Sequence, residues 1–151
     1  MVNDYSTVLI ACGLNGRWED LIEVYETMPG SYRSRLSGVA QAQVIIARAQ
    51  SDSYDVKVRG FDVLGMDDTK WNTYSCNAVL NALLQTHQYK TLLSLSYKLK
   101  QKRKTWNSRT YTIVALAYIR SGSTMKALEF MRANATHMQS NNVECYRELI
   151  D

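Results

Sequence analysis

The chain begins with two short stretches in which apolar residues recur at helical spacing. Val8, Leu9 and Cys12 fall at i, i+1 and i+4, which places them on one face of a first helix. A second apolar stripe runs from Leu21 to Met28, with acidic residues between its apolar positions. Gly16 separates the two stretches, as expected where a helix ends. Because helices this short are unstable alone in water, we expect the pair to stack on neighbouring helices.

The same pattern recurs along the whole chain. Val8 has counterparts at Val44, Val79 and Val114, at spacings of 36, 35 and 35 residues. A helix pair repeated with this period predicts an all-α protein, a right-handed α-solenoid of stacked helix-turn-helix repeats. We expect one domain of four units and a partial fifth repeat or polar cap, approximately at residues 2–37, 38–72, 73–107, 108–142 and 143–151.

Two local features add detail to this prediction. Thr73 and Ser108 stand just before the first helices of the third and fourth units and are predicted N-caps. In the second unit, Val56, Val58 and Gly60 are poor helix formers within the predicted second helix, so packing on both sides would have to hold it.

The residues of the repeat resemble those of the pentatricopeptide repeat. Tyr5-Ser6-Thr7-Val8-Leu9, followed by the stretch from Glu19 to Met28, is similar to that family's first helix, which typically opens Tyr-Asn-Thr-Leu-Ile, and to its second, which runs to Phe-Glu-Glu-Met. Tyr111-Thr112-Ile113-Val114 repeats the match in the fourth unit. The period alone also allows the tetratricopeptide repeat, of about 34 residues, but these residues favour the pentatricopeptide repeat.

The resemblance implies a set of residues that bind RNA. In this family the first helices line a groove for single-stranded RNA and read one base per repeat. The implied base-reading residues follow the conserved Tyr or end the repeat. They are Ser6, Ala42, Asn77 and Thr112, with Ser37, Asn72, Asn107 and Asn142. The family's code implies a pyrimidine for Asn77 with Asn107 and adenine for Thr112 with Asn142. Asparagine is also a common turn residue between repeats, and this alternative stays open.

Positive charge is concentrated in one part of the chain. The net charge is +4, and six cations without an intervening acid lie between residues 98 and 109, so the remainder carries −2. The six are Lys98, Lys100, Lys102, Arg103, Lys104 and Arg109. They are candidates for contacts with RNA phosphates or with a partner, although a solvated helix end would also explain them. Arg120 occupies a position where the family often has a phosphate-contacting Lys.

No arrangement of catalytic or metal-binding residues stands out. Cys12, Cys76 and Cys145 lack metal or redox spacing and are expected to be buried free thiols. His87 and His137 have no ligand at a suitable spacing and are expected at the surface. We therefore expect neither an enzyme nor a cofactor or metal site. No apolar run approaches 18 residues, so we expect no membrane insertion.

Two functions fit these observations. The first is a single-stranded RNA-binding adaptor of organellar RNA metabolism or translation, in the mitochondrion or alternatively the plastid. The second is a structural scaffold subunit of a large organellar assembly, such as a mitochondrial ribosome, with ribosomal RNA and other proteins as partners. Few residues precede the first repeat, and we expect either that a targeting segment has been removed or that the chain is a fragment. At about 1–3 kcal/mol per base, two convincing repeats would bind RNA only weakly without further repeats or a partner.

Overall fold

The computed structural model describes residues 2–33, 35–51, 68–69, 71–138 and 142–150. These residues form helices joined by turns, and no strand occurs among them, which confirms the predicted all-α class. In chain order the helices are α1 (Val2–Leu14), α2 (Trp18–Thr27), α3 (Gly30–Arg33), α4 (Gly38–Gln50), α5 (Thr73–Gln85), α6 (Tyr89–Gln101), α7 (Ser108–Arg120), α8 (Thr124–Ala133), α9 (Ala135–Met138) and α10 (Asn142–Ile150).

The helices follow the period of the sequence. The first helices of the four units, α1, α4, α5 and α7, begin at residues 2, 38, 73 and 108, which are 36, 35 and 35 residues apart. The second helices are α2, α6 and α8. The predicted second helix of the second unit, with Val56, Val58 and Gly60, lies outside the described residues.

The helices stack as a solenoid. Each first helix packs on the first helix of the next unit, in the series α1, α4, α5, α7 and α10. The second helices form another layer, in which α2 contacts α1 and α4, and α6 contacts α5 and α7. Contacts therefore run mainly between neighbouring units, as the repeat predicts.

The core is a seam between these layers. Leu21, Leu92 and Ala127 occupy equivalent positions on the second helices, and all three are fully buried. The predicted face of α1 is only partly correct, because Leu9 is fully buried while Val8 is 44% exposed. Val8 belongs to the first unit, whereas its buried counterparts lie on helices that pack against the first helix of a preceding unit.

The N-caps of α5 and α7 differ from the predicted ones. The side-chain oxygen of Asn72 accepts a hydrogen bond from the backbone N–H of Ser75 at 2.9 Å. Asn107 does the same for Thr110 at 3.1 Å. Asn72 and Asn107 have the extended backbone of an N-cap, so Thr73 and Ser108, predicted as caps, are instead the first helical residues. These two asparagines, each at the end of a repeat, thus have a structural role.

In three units, the turn between the two helices contains one residue with left-handed backbone conformation. Gly16 and Gly122 have φ of 68° and 87° there, and His87, 35 residues before Gly122, has φ of 61°. Glycine adopts this conformation without steric cost, which explains two of the three residues. The prediction that a turn at Gly16 ends the first helix is confirmed.

Candidate nucleic-acid interface

A groove of about 650 Å³ runs along the first helices α4, α5 and α7. Its polar wall is made mostly of uncharged amide side chains. The polar residues of this wall include Gln43, Tyr74, Asn77, Asn81, Asn107 and Arg109. No acidic residue of the described chain lines it. Amides and one arginine, with no carboxylate, suit a ligand that carries hydrogen-bonding groups and negative charge.

Asn77 and Asn107, predicted to read one base together, meet at the groove wall. Asn77 Nδ2 donates a hydrogen bond to Asn107 Oδ1 at 3.0 Å. The buried Thr110 hydroxyl donates to Asn77 Oδ1 at 2.6 Å. The side-chain oxygens of Asn77 and Asn107 thus both accept hydrogen bonds. Asn107 Nδ2 donates to no group within the described part of the chain. The two amides are held in one orientation, and the exposed Asn107 offers its N–H donors to a ligand.

The two preceding pairs, Ser6 with Ser37 and Ala42 with Asn72, differ from this pair in their chemistry. The Ser37 backbone N–H donates to the buried Ser6 Oγ at 3.3 Å, and the Ser37 side chain caps α4. Ala42 is 5% exposed and has no polar group, and its partner Asn72 caps α5. The structure brings Ser6 and Ser37 together through their hydrogen bond. Neither pair offers two side-chain polar groups to a ligand.

The last predicted pair is Thr112 with Asn142, and of these Thr112 lies under α10. Thr112 is fully buried, and its hydroxyl donates to the Ser108 carbonyl oxygen at 2.9 Å. Cys145 Sγ lies 3.9 Å from the Thr112 carbonyl oxygen. The side chain of Asn142 lies outside the described part of the structure. The expectation that Thr112 faces the groove is therefore wrong, because α10 packs over it.

Three lysines of the basic run hold a buried aspartate. Asp68, 2% exposed, accepts a hydrogen bond from Lys102 Nζ at 2.9 Å, and Lys98 Nζ lies 3.9 Å from its other oxygen. Lys104 Nζ donates to the backbone oxygens of Asp68 and Trp71 at 2.7 and 3.1 Å. These contacts tie the end of α6 to the segment that precedes α5. The run is therefore not simply a solvated helix end.

Lys100 and Arg103 complete the run in different ways. Lys100 Nζ donates to the Tyr111 hydroxyl at 3.1 Å and lies 4.6 Å from the centre of the Trp106 ring, a cation–π contact. Arg103 is exposed just after the end of α6, and its side chain has no hydrogen-bond or ion-pair partner among the described residues. The four lysines do not line the groove. Within the run, only Arg109 does so.

Arg109 and Arg120, both on α7, are paired with other side chains. Arg109 Nη2 lies 3.3 Å from Asn81 Oδ1 and Nη1 lies 3.7 Å from the Glu144 carboxylate. Arg120 makes a bidentate contact with Glu148, with Nε–Oε2 at 3.0 Å and Nη2–Oε1 at 2.5 Å. The hydrogen bond from Arg120 to Glu148 raises the pKa of Arg120 above its usual value. The acids of the last helix, predicted to be a partial fifth repeat or a polar cap, thus contact α7.

The cysteines and histidines lie largely where they were expected. Cys76 and Cys145 are buried free thiols, and Cys12 is half-buried. His87 and His137 are exposed, and the His137 ring stacks on Tyr111 with centres 4.9 Å apart.

The described ranges also bear on metal and membrane binding. They contain no group of three or more His, Cys, Asp or Glu that is placed to hold a metal ion. None of the described helices has the length and apolarity needed to span a membrane.

Several polar residues of the groove, among them Asn81 and Gln43, were not predicted from the sequence. Asn81 follows Asn77 by four residues on α5, and Gln85 follows Asn81 by four more. All three line the groove. A polar stripe at helical spacing opposite the apolar face is the signal that would have identified Asn81. Gln43 on α4 has no comparable signal.

Comparison with known proteins supports the repeat family. Residues 4–32 match the family model of the PPR repeat, which covers most of the first unit. A chloroplastic pentatricopeptide repeat-containing protein of Arabidopsis thaliana is 25% identical over 101 residues. The aligned stretch is 66% of this chain and 15% of that relative, so the chain spans a small part of the relative's length.

Proposed function

Because this chain is a pentatricopeptide repeat protein, we propose that it binds single-stranded RNA in the groove of α4, α5 and α7. Its role would be that of an adaptor in organellar RNA metabolism or translation and not that of an enzyme. The observation that carries the proposal is the bond between Asn77 Nδ2 and Asn107 Oδ1 in the wall of the groove. It joins two consecutive repeats at the positions where the family reads a base.

The hydrogen bonds of this pair favour a particular base edge. Asn107 Oδ1 already accepts from Asn77 and from the Thr110 N–H, so the groups left for a ligand are the N–H donors of Asn107. Donors pair with the acceptors of a base, such as the O2 and N3 atoms of cytosine. This agrees with the pyrimidine that the family's code implies. The exposed Tyr74 ring, in the same groove, is available for stacking.

The expected affinity is low. Stacking contributes about 1–3 kcal/mol per base, and one complete polar pair among the described residues cannot reach the roughly 12 kcal/mol of nanomolar binding. The protein would therefore act with further repeats, with a partner or within an assembled complex. The chloroplastic relative supports a plastid location, which was the alternative to the mitochondrion.

A scaffold role is the second candidate. Lys102 and Lys104 contact Asp68 and nearby backbone, and Arg120 is bound to Glu148. Much of the positive charge is thus used within the fold, as expected of a subunit that binds proteins instead of RNA. In this case the chain would associate with a large organellar particle, and groove substitutions would not affect that association.

RNA binding by groove variants separates these proposals. We expect Asn77→Ala to weaken binding of a short unstructured RNA by about 1 kcal/mol or more, because it removes an amide that orients Asn107. Gln101→Ala is the matched control, since Gln101 is an exposed amide on α6 outside the groove. Binding should be measured by fluorescence anisotropy. Equal affinity of both variants and the parent, with particle assembly intact, would favour the scaffold.

A further inference from the structure

The first helices of the four units carry few cations. Among the described residues of α1, α4, α5 and α7, the only positively charged side chains are Arg48, Arg109 and Arg120. Arg48 is 8% exposed and bonds to Glu26 at 2.9 Å, away from the groove. Any backbone phosphate that followed these first helices would therefore depend on Arg109 and Arg120.

Both arginines are held by carboxylates of one neighbouring helix. Glu148 on α10 occupies the Nε–Nη2 edge of Arg120 with both of its oxygens. Glu144, one turn earlier on α10, lies 3.7 Å from Arg109. The side chains of Arg120 and Glu148 are 34% and 29% exposed, whereas those of Arg109 and Glu144 are 47% and 51% exposed. Since exposed pairs are weaker, the contact with Glu148 should dominate.

A carboxylate and a phosphate bind a guanidinium with the same hydrogen-bonding geometry. Each can accept two parallel N–H bonds from its planar edge. The edge of Arg120 that would bind a phosphate is therefore the edge that Glu148 fills. Because the acids belong to the same chain, they compete at a high effective concentration.

We propose that α10 is an internal competitor of RNA phosphate, which limits backbone binding in the fourth unit until Glu144 and Glu148 are displaced from Arg109 and Arg120. The inference rests on the proposed RNA binding and adds to it a charge-based control at Arg109, which lines the groove, and at Arg120, on the same helix but outside the groove lining. A partner that draws α10 or its acids away would thus strengthen RNA binding without touching the groove.

The first test compares two double variants with equal changes in net charge. Glu144→Gln/Glu148→Gln removes both competing charges, while Glu23→Gln/Glu129→Gln removes two exposed charges on α2 and α8. Against an unstructured RNA, we expect the α10 variant to bind about tenfold more tightly than the control, equivalent to about 1.4 kcal/mol. Its salt slope should steepen by about 0.7 for each additional phosphate that the arginines neutralise. Equal affinities and slopes in the two variants would overturn the proposal.

The second test does not depend on RNA binding. Pyrophosphate is titrated into the same two variants, and the Arg120 Nε–H resonance is followed by NMR. We expect the resonance to respond at about tenfold lower pyrophosphate concentration in the α10 variant. If this response occurs while no variant binds RNA, the competition stands and the RNA function fails. If the variants respond alike, the competition is refuted whatever the RNA result.

Discussion

The junction between α5 and α7 and the junction between α7 and α10 place equivalent residues in opposite surroundings. At the first, Asn77 is half-buried and presents an amide at the groove, held by the Thr110 hydroxyl at 2.6 Å. At the second, Thr112, 35 residues after Asn77, is fully buried. The residue equivalent to Thr110 is Cys145, whose sulfur lies against the Thr112 backbone.

The difference shows that register alone does not determine the surface of a repeat. The polar neighbour Thr110 keeps Asn77 oriented, whereas the apolar neighbour Cys145 allows α10 to cover Thr112. The two junctions also differ in the charge of their equivalent residues. Arg109 in the first junction lies beside an amide, and its equivalent in the second is Glu144, which pairs with Arg109 itself.

The largest expected effect comes from the core that both junctions share. Leu92 on α6 is fully buried in the cluster that includes α5 and α7. Leu92→Asp would bury an unpaired charge and should lower the free energy of unfolding by about 3 kcal/mol or more. Ser94→Asp, an exposed position on the same helix, is the control and should stay within about 0.5 kcal/mol. Similar urea midpoints for both variants would mean that the register of the seam is wrong.

Thiol reactivity measures how closed the second junction is. Burial, together with the charges of Glu144 and Glu148, raises the pKa of Cys145 to about 11. A raised pKa lowers the thiolate fraction, so alkylation near pH 8 should be about a hundredfold slower than for an ordinary thiol, and the rate should rise as pH approaches 11. Mass spectrometry after iodoacetamide treatment should find Cys12 modified first. Equally fast modification of Cys145 would show that α10 opens readily.

Exchanging the equivalent residues tests the comparison directly. Thr112→Asn would place a larger amide with unpaired polar atoms in a closed space and should cost about 2 kcal/mol of stability. Asn77→Thr changes a half-buried position and should cost about 1 kcal/mol or less. Chemical denaturation of the two variants gives both values. Equal costs would indicate that the two junctions are alike.

The sequence predicted the elements better than the contacts between them. The valines at positions 44, 79 and 114 revealed the period because each is buried in the same way. The internal use of the lysines was not predictable, since Asp68 lies 34 residues before Lys102 and no local pattern links them. Asn107 was ambiguous for another reason. Asn107 both caps α7 and bonds to Asn77, so residue type alone does not distinguish a turn residue from a base-reading residue.

The proposed base reading requires that the Asn107 amide offers donors to a base, and one substitution tests this with little structural change. Asn107→Asp keeps the N-cap, because aspartate caps helices equally well, and it still accepts from Asn77. It replaces the outward N–H donors by an acceptor. Asn72→Asp makes the same change at the equivalent cap, whose predicted partner Ala42 has no polar side-chain group.

The measurement is competition between RNAs that differ by cytosine or guanine at one position. Guanine presents N–H donors that suit an acceptor, so Asn107→Asp should shift the preference towards guanine by about 1 kcal/mol or more, roughly fivefold. Asn72→Asp should weaken both RNAs alike. An unchanged cytosine-to-guanine ratio in Asn107→Asp, with the same general loss as in Asn72→Asp, would contradict base reading by this groove.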